Sequence, residues 1–256
     1  MNKNFILYFL CLLYSCQQQE APQECRTPLG KLMLSTVNID WGNVQLGKSY
    51  TQSIKIYNAT SKKAILKIYN TNPEFKVIKI GKKQINPEKE TFLIPAFHSD
   101  SIKVIFSPND TSSIGELKKD IYIETDGKLL VAPLEQHATI LENFENLSNN
   151  KKYPIINIDK DTFNFGTITW KDRPTATFLL KNEGEQNLII RKVEKKCGCT
   201  NAYTVDRVIF PGKSTILNVT FNPMGKNGKQ STQIRIFCND PKHPVIEFTI
   251  TGCVVE

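Results

Sequence analysis

Ile39-Asp40-Trp41-Gly42-Asn43-Val44 returns as Phe163-Asn164-Phe165-Gly166-Thr167-Ile168 at an offset of 124 residues, and reading these two stretches together decides the fold. The same register carries Asn58 onto Asn182 and Ala64-Ile65-Leu66 onto Leu188-Ile189-Ile190. Phe106-Ser107-Pro108 then meets Phe221-Asn222-Pro223 at an offset of 115, so the first copy is longer by nine residues in its middle. A register held across separated stretches marks a duplicated domain. Within each copy, short alternating apolar runs such as Ser53-Ile54-Lys55-Ile56 and Thr175-Ala176-Thr177-Phe178-Leu179 are broken by Asn, Gly, Asp and Pro. Such runs with turn signals between them predict strands that bury alternate residues on one face. The expected fold is all-β, with two tandem immunoglobulin-like β-sandwiches over residues 33–140 and 154–256. The polar stretch 141–153 reads as the linker between them.

Several residues in this pattern are architectural. Gly42 and Gly166 fit a turn or bulge that breaks the ladder after an aromatic strand. Asp126-Gly127 and Asn182-Glu183-Gly184 read as hairpin turns. Trp41 occupies the repeat position of Phe165 and is expected in the core.

The start of the chain reads differently. Lys3 precedes an apolar run from Phe5 to Leu13, too short to span a bilayer, which needs about 20 residues. Residues 1–15 are therefore expected to be a signal peptide. The closing Leu13-Tyr14-Ser15-Cys16 resembles the bacterial lipobox, which implies that Cys16 is acylated and becomes the mature N-terminus. Acyl chains anchor because each buried methylene adds about 0.8 kcal/mol. Residues 16–32, beginning Gln17-Gln18-Gln19-Glu20, read as a flexible tether. Gln17 in place of an aspartate implies the outer membrane.

The formal charge is +8, but the lysines are dispersed and not interleaved with aromatics, so nucleic acid is not expected as a partner. Catalysis is not expected either. His98, His137 and His243 each stand alone, and neither a nucleophile elbow nor a phosphate loop is present. Of seven cysteines, Cys11 leaves with the signal and Cys16 carries lipid. Cys25, Cys197, Cys199, Cys238 and Cys253 remain, an odd number that leaves at least one thiol unpaired in an oxidising compartment. Cys25, in the tether, is the expected free or intermolecular thiol. Cys238 shares a strand face with Ile234 and Ile236 and also reads as a small buried residue. Cys253 falls on the face opposite Phe248 and Ile250.

The second copy resembles a known family. Phe163-x-Phe165-Gly166-x-Ile168, Leu180-Lys181-Asn182-x-Gly184, Leu188-Ile189-Ile190, Val193, Cys197-Gly198-Cys199-Thr200, Pro211-Gly212, Asn239-Asp240 and Gly252 are similar to the bacterial domain of unknown function 1573. That family is an immunoglobulin-like sandwich related to the Hydin and major-sperm-protein domains and common in exported Bacteroidota proteins. The resemblance implies a sandwich fold and a non-catalytic binding role. It is weak in the first copy, which lacks the Cys-Gly-Cys-Thr segment.

Cys197-Gly198-Cys199 is the one chemical constellation. A structural disulfide, with the segment fastened to Cys238, is the leading expectation. A small ring between the two neighbours, free thiols, a Cu or Zn site recruiting Cys238 and His243, or thiol-redox work are the alternatives. Trp170, beside Lys171-Asp172-Arg173-Pro174, reads as an interface anchor together with Arg173 or as a loop aromatic folded onto its own sandwich. Asp100-Ser101-Ile102 resembles the O-glycosylation sequon of Bacteroidota, which makes Ser101 a candidate for modification. The functional expectation is a non-enzymatic, lipid-anchored envelope binding or scaffold protein, an accessory subunit of an outer-membrane protein complex. The alternative is an envelope metal-binding or thiol-redox protein.

Overall fold

In a computed structural model, residues 21–70, 73–80, 83–84, 91–129, 133–145 and 152–256 are described. The expected signal peptide over residues 1–15 and the expected lipid site Cys16 lie outside these residues. The first half of the chain forms β1 (Thr27–Leu29), β2 (Leu32–Leu34), β3 (Asn38–Gln45), β4 (Tyr50–Asn58), β5 (Ala64–Asn70), β6 (Phe75–Ile80), β7 (Lys83–Gln84), β8 (Phe92–Ile94), β9 (Ser99–Phe106), β10 (Gly115–Thr125), β11 (Lys128–Leu129) and β12 (Leu134–Leu141). The second half forms β13 (Ile156–Ile158), β14 (Thr162–Thr169), β15 (Thr175–Asn182), β16 (Leu188–Lys195), β17 (Thr200–Thr204), β18 (Val208–Ile209), β19 (Ser214–Phe221), β20 (Gly228–Cys238) and β21 (Val245–Val255).

Each half builds two sheets that face one another. The first has the orders β1-β2-β4-β9-β6-β7 and β3-β12-β10-β5-β8; the second has β13-β15-β19-β17 and β14-β21-β20-β16-β18. Strand for strand these orders superimpose, β2 on β13, β4 on β15, β9 on β19 and β10 on β20. The duplication read from the sequence is therefore a duplication of topology. The first sandwich adds β1 and β7 at the two edges of its first sheet.

The repeated motifs have physical reasons. Gly42 (φ +64°) and Gly166 (φ +71°) take the left-handed conformation that glycine adopts without a Cβ penalty. Their N–H groups donate to the carboxylate of Asp40 and the side-chain carbonyl of Asn164. The register slips at these points, so both are bulges. Behind them, Trp41 packs against Phe75 and Phe106, and Phe165 stacks on Phe221. The Trp41 indole also donates to Gln136.

Asn58 and Asn182 are fully buried. The Asn182 amide donates to the carbonyls of Gln186 and Ile209, and its oxygen accepts from the N–H of Gly184 and Ile155. Asn58 donates to the carbonyls of Lys62, Ile94 and Pro95 and accepts from Thr60. Each asparagine pins the crossing from one sheet to the other. Asn182-Glu183-Gly184 is therefore such a crossing rather than a hairpin, because β15 and β16 lie in different sheets. Asp126-Gly127 is the expected hairpin turn, between β10 and β11.

The sheet starts earlier than the tether reading allowed. β1 and β2 pair with one another and join β4, and Leu29, Leu32 and Leu34 enter the core. Two strands of three residues are too short to show a period, and Pro28 masks the first. Pro28 is tolerated because β1 is an edge. Cys25, expected free in the tether, is 1% exposed, and burial raises its thiol pKa.

Candidate functional site

The antiparallel register decides what Cys197 and Cys199 can reach. β16 lies against β20 with Ile190 beside Cys238 and Lys195 beside Ile234, so the chain leaves the sheet for Cys197 at the end remote from Cys238. Cys197 is bonded to Cys199 instead, with Cα atoms 5.1 Å apart. The expected fastening to Cys238 is thus replaced by a local ring. Within it the Cys199 N–H donates to the Cys197 sulfur at 3.0 Å, and the Cys199 carbonyl accepts from Asn222 at 2.7 Å. The ring shapes the bend that starts β17.

Cys238 packs with Ile234 and Ile236, as its strand position predicts, and its thiol donates to the His243 carbonyl. Burial pushes that thiol up to about 12. Cys238 and His243 therefore do not join Cys197 and Cys199. Among the described residues no group of three or more His, Cys, Asp or Glu stands together as a metal site. Cys253 is half-buried, as is Ser101 in the interior strand β9, where it pairs with Lys55 of β4.

Trp170 is 49% exposed, so of its two readings the loop presents the ring. The Asp172 carboxylate accepts from the N–H and hydroxyl of Thr169, bonds that hold it below the usual carboxylate range. Arg173 donates back to the carbonyls of Trp170 and Asp172, and Lys171 lies over the indole. Phe221 donates to the Pro174 carbonyl while Asn222 donates to that of Cys199. These two bonds bring the Trp170 loop and the cysteine ring to one pole of the second sandwich, together with exposed Met224.

An apolar surface lies on the outer face of β15, β19 and β17, separated from this pole by the polar row Thr175, Thr220 and Asn201. Leu179 stands directly opposite Ile216, and Tyr203 shares a row with Asn218 and Thr177. Val205, whose N–H donates to the Ile216 carbonyl, continues it. Leu179, Ile216, Tyr203 and Val205 are all exposed. β17 is the edge of its sheet, and by antiparallel alternation the N–H and C=O of Ala202 and Thr204 point away from β19. In the first sandwich, β7 pairs with the end of the counterpart strand β6, at Lys79 and Ile80.

A second cluster, invisible to the sequence reading, joins the two sandwiches. Arg235 on β20 donates to Glu116 of the first sandwich at 2.7 Å and to Glu194 at 2.8 Å. Glu194 also accepts the backbone N–H of Glu116, and Lys196 pairs with Glu116. The Lys196 ammonium, then the Arg235 guanidinium, hold the Glu116 carboxyl below its ordinary range. Arg191 grips Glu142 through two bonds of 2.8 and 2.7 Å, which raise its own pKa further. Beside them Phe237 leaves its own sandwich and packs into the core of the first. Gly115, beside the side chains of Glu194 and Lys192, has a φ of +111°, a conformation that other residues adopt only with strain. The one hint in the sequence is Ile234-Arg235-Ile236-Phe237-Cys238, whose apolar residues break strict alternation.

These features define a class: two tandem immunoglobulin-like sandwiches, joined pole to face, with an apolar face and an open edge on the second. Residues 156–254 match the family model described as protein of unknown function, DUF1573. A crystal structure of a protein of unknown function from Porphyromonas gingivalis W83 is similar with a TM-score of 0.62 and 15% identity, over 88% of this chain and 100% of that one. The ASH / PapD-like domain of human CEP192 aligns with 44% of this chain and 94% of its own at 11% identity and a TM-score of 0.36. No curated protein matches the chain. The likeness to the Porphyromonas gingivalis protein supports the paired-sandwich fold and extends no further.

Proposed function

We propose that the protein is a non-enzymatic, lipid-anchored binding subunit of the cell envelope, held by Cys16 at an outer membrane and docked on another envelope protein. The observation that carries the binding role is the second sandwich's outer face, where exposed Leu179 on β15 and Ile216 on β19 stand opposite one another and exposed Tyr203 and Val205 lead to the open edge β17. Contiguous apolar surface of this kind marks interaction sites, and an open edge accepts a partner strand. Trp170 and Arg173, at the pole beyond the Thr175 row, offer a separate contact. The anchoring role rests on the signal-like start and the Cys16 motif.

The test is the size of the species extracted from native membranes in mild detergent. The protein is expected in an assembly larger than one chain, which Leu179→Asp with Ile216→Asp reduces to the lone chain. A wild-type protein that runs alone, or a variant that stays assembled, counts against docking. Separately, Cys16→Ser is expected to abolish acylation and lipoprotein-type cleavage, read by intact mass.

A further inference from the structure

We infer that the pole of the first sandwich remote from the second is a docking surface for an anionic membrane. Three turns converge there. Lys31 in the β1–β2 turn, Lys62 and Lys63 in the β4–β5 turn, and Asp126 in the β10–β11 turn border one shallow hollow. Asp126 accepts from the Ile65 N–H and from Lys31, so it is already engaged. Lys62, Lys63 and the neighbouring Lys128 have no ion pair among the described residues. These three ammonium groups are therefore uncompensated among the described residues, and the nearest further carboxylate, that of Glu124 opposite Leu129, accepts from the Tyr69 hydroxyl.

Apolar side chains project through this basic rim. Ile65 and Leu93 stand directly opposite one another on β5 and β8, and both are exposed. Leu129, 53% exposed, follows Lys128 on β11. Phe97, in the connection between β8 and β9, is held outward at a φ of 55°, a left-handed conformation that is rare for a bulky residue. The backbone bonds between Asn58 and the Phe97-His98 pair keep it there. Apolar side chains ringed by ammonium groups match the boundary between anionic headgroups and acyl chains. The apolar face of the second sandwich differs, since its neighbours in the same rows are Thr177 and Asn218, which suit a protein surface.

The position agrees with this assignment. β10 begins at the joint, where Glu116 meets Arg235, and ends at Thr125 beside the basic pole. Docking by that pole projects the second sandwich and its open edge away from the membrane. The N-terminal segment belongs to the same first sandwich through β1.

The inference stands apart from acylation, and so does its test. The chain from residue 16 onward, made without the leader and carrying no acyl group, is sedimented with vesicles of phosphatidylcholine alone or mixed equally with phosphatidylglycerol. Binding is expected to the mixed vesicles, to fall with salt, and to weaken about tenfold or more in Lys62→Glu with Lys63→Glu. Leu93→Ser with Leu129→Ser also weakens it, whereas Leu179→Ser with Ile216→Ser leaves it unchanged. Leu129→Trp shows a blue shift in fluorescence on mixed vesicles only. Thermal unfolding is followed for each variant, all altered at exposed positions. Absent or equal binding to the two vesicle types overturns the inference, as does undiminished binding by the charge-reversed variant, an unshifted Leu129→Trp spectrum, or dependence on Leu179 and Ile216. An acidic protein captured by this pole without vesicle binding also overturns it. None of these outcomes bears on whether Cys16 is acylated.

Discussion

β10 and β20 are the same strand in the two sandwiches, yet one alternates and the other does not. In β10, Ile121, Ile123 and Thr125 are buried while Tyr122 and Glu124 stay partly open. In β20 the matching Ile234, Ile236 and Cys238 are buried, and so are Arg235 and Phe237 in the places of Tyr122 and Glu124. The difference is what lies outside the sheet. Water meets the outer face of β10, whereas the pole of the first sandwich covers that of β20. Duplication preserved the inward face, and the joint remade the outward one.

The sharpest way to break this comparison is to truncate the two matched outward residues. Phe237→Ala is expected to cost about 3–5 kcal/mol, because it empties a packed site shared by both sandwiches. Glu124→Ala is expected to stay within about 0.5 kcal/mol. Denaturant unfolding of the unacylated chain measures both, and equal costs would mean that the joint is not populated in solution.

A symmetrical pair comes next. Asn58→Ala and Asn182→Ala each strand several buried backbone groups, at roughly 1–3 kcal/mol per group left unsatisfied. Similar losses in both copies are expected from the same denaturant curves. A neutral Asn58→Ala would show that the first crossing does not depend on its asparagine.

The cysteine ring separates the copies, since the first has none. Closing so short a loop restricts the unfolded chain little, so Cys197→Ser with Cys199→Ser is expected to cost only about 1–2 kcal/mol. Thiol titration of the native unacylated chain from residue 16 should find Cys253 reactive besides the Cys16 thiol, with Cys25 and Cys238 shielded until unfolding, Cys238 by burial that pushes its pKa up to about 12. If reducing agent unfolded the protein outright, the ring would matter far more than its length allows.

The smallest effect expected is that of pH at the joint. Glu116 has its pKa lowered in the folded protein, by Lys196 first and then Arg235. Its contribution is present above the ordinary carboxylate range and is lost as pH falls through the lowered value. Acidification should therefore loosen the joint, read as a rise in radius by small-angle scattering, and Glu116→Gln should flatten that response. An unchanged acid response in Glu116→Gln would assign it to another group.

Much of the architecture was legible because it is written in local pattern. Strand alternation, the glycine bulges at Gly42 and Gly166, and the register linking Asn58 to Asn182 depend on residues near one another in the chain. The candidate site was legible in pieces. Trp170 and Arg173 stood out by type, but Leu179, Ile216 and Tyr203 read as ordinary strand residues until pairing set them side by side. β1 and β2 carry no legible pattern because three residues cannot display a period.

Two copies of one sandwich are legible along the chain alone, because repetition and periodicity are patterns between residues of known spacing. That Cys197 closes on Cys199 rather than reaching Cys238 follows from the folded register, since antiparallel pairing puts Cys238 at the other end of β16. The fold alone buries Phe237 and Arg235 against the other sandwich. It likewise gathers Lys31, Lys62 and Lys63, Ile65, Leu93 and Leu129 at one pole. Burial against a distant segment and proximity across strands are properties of the folded surface, and no local pattern encodes them.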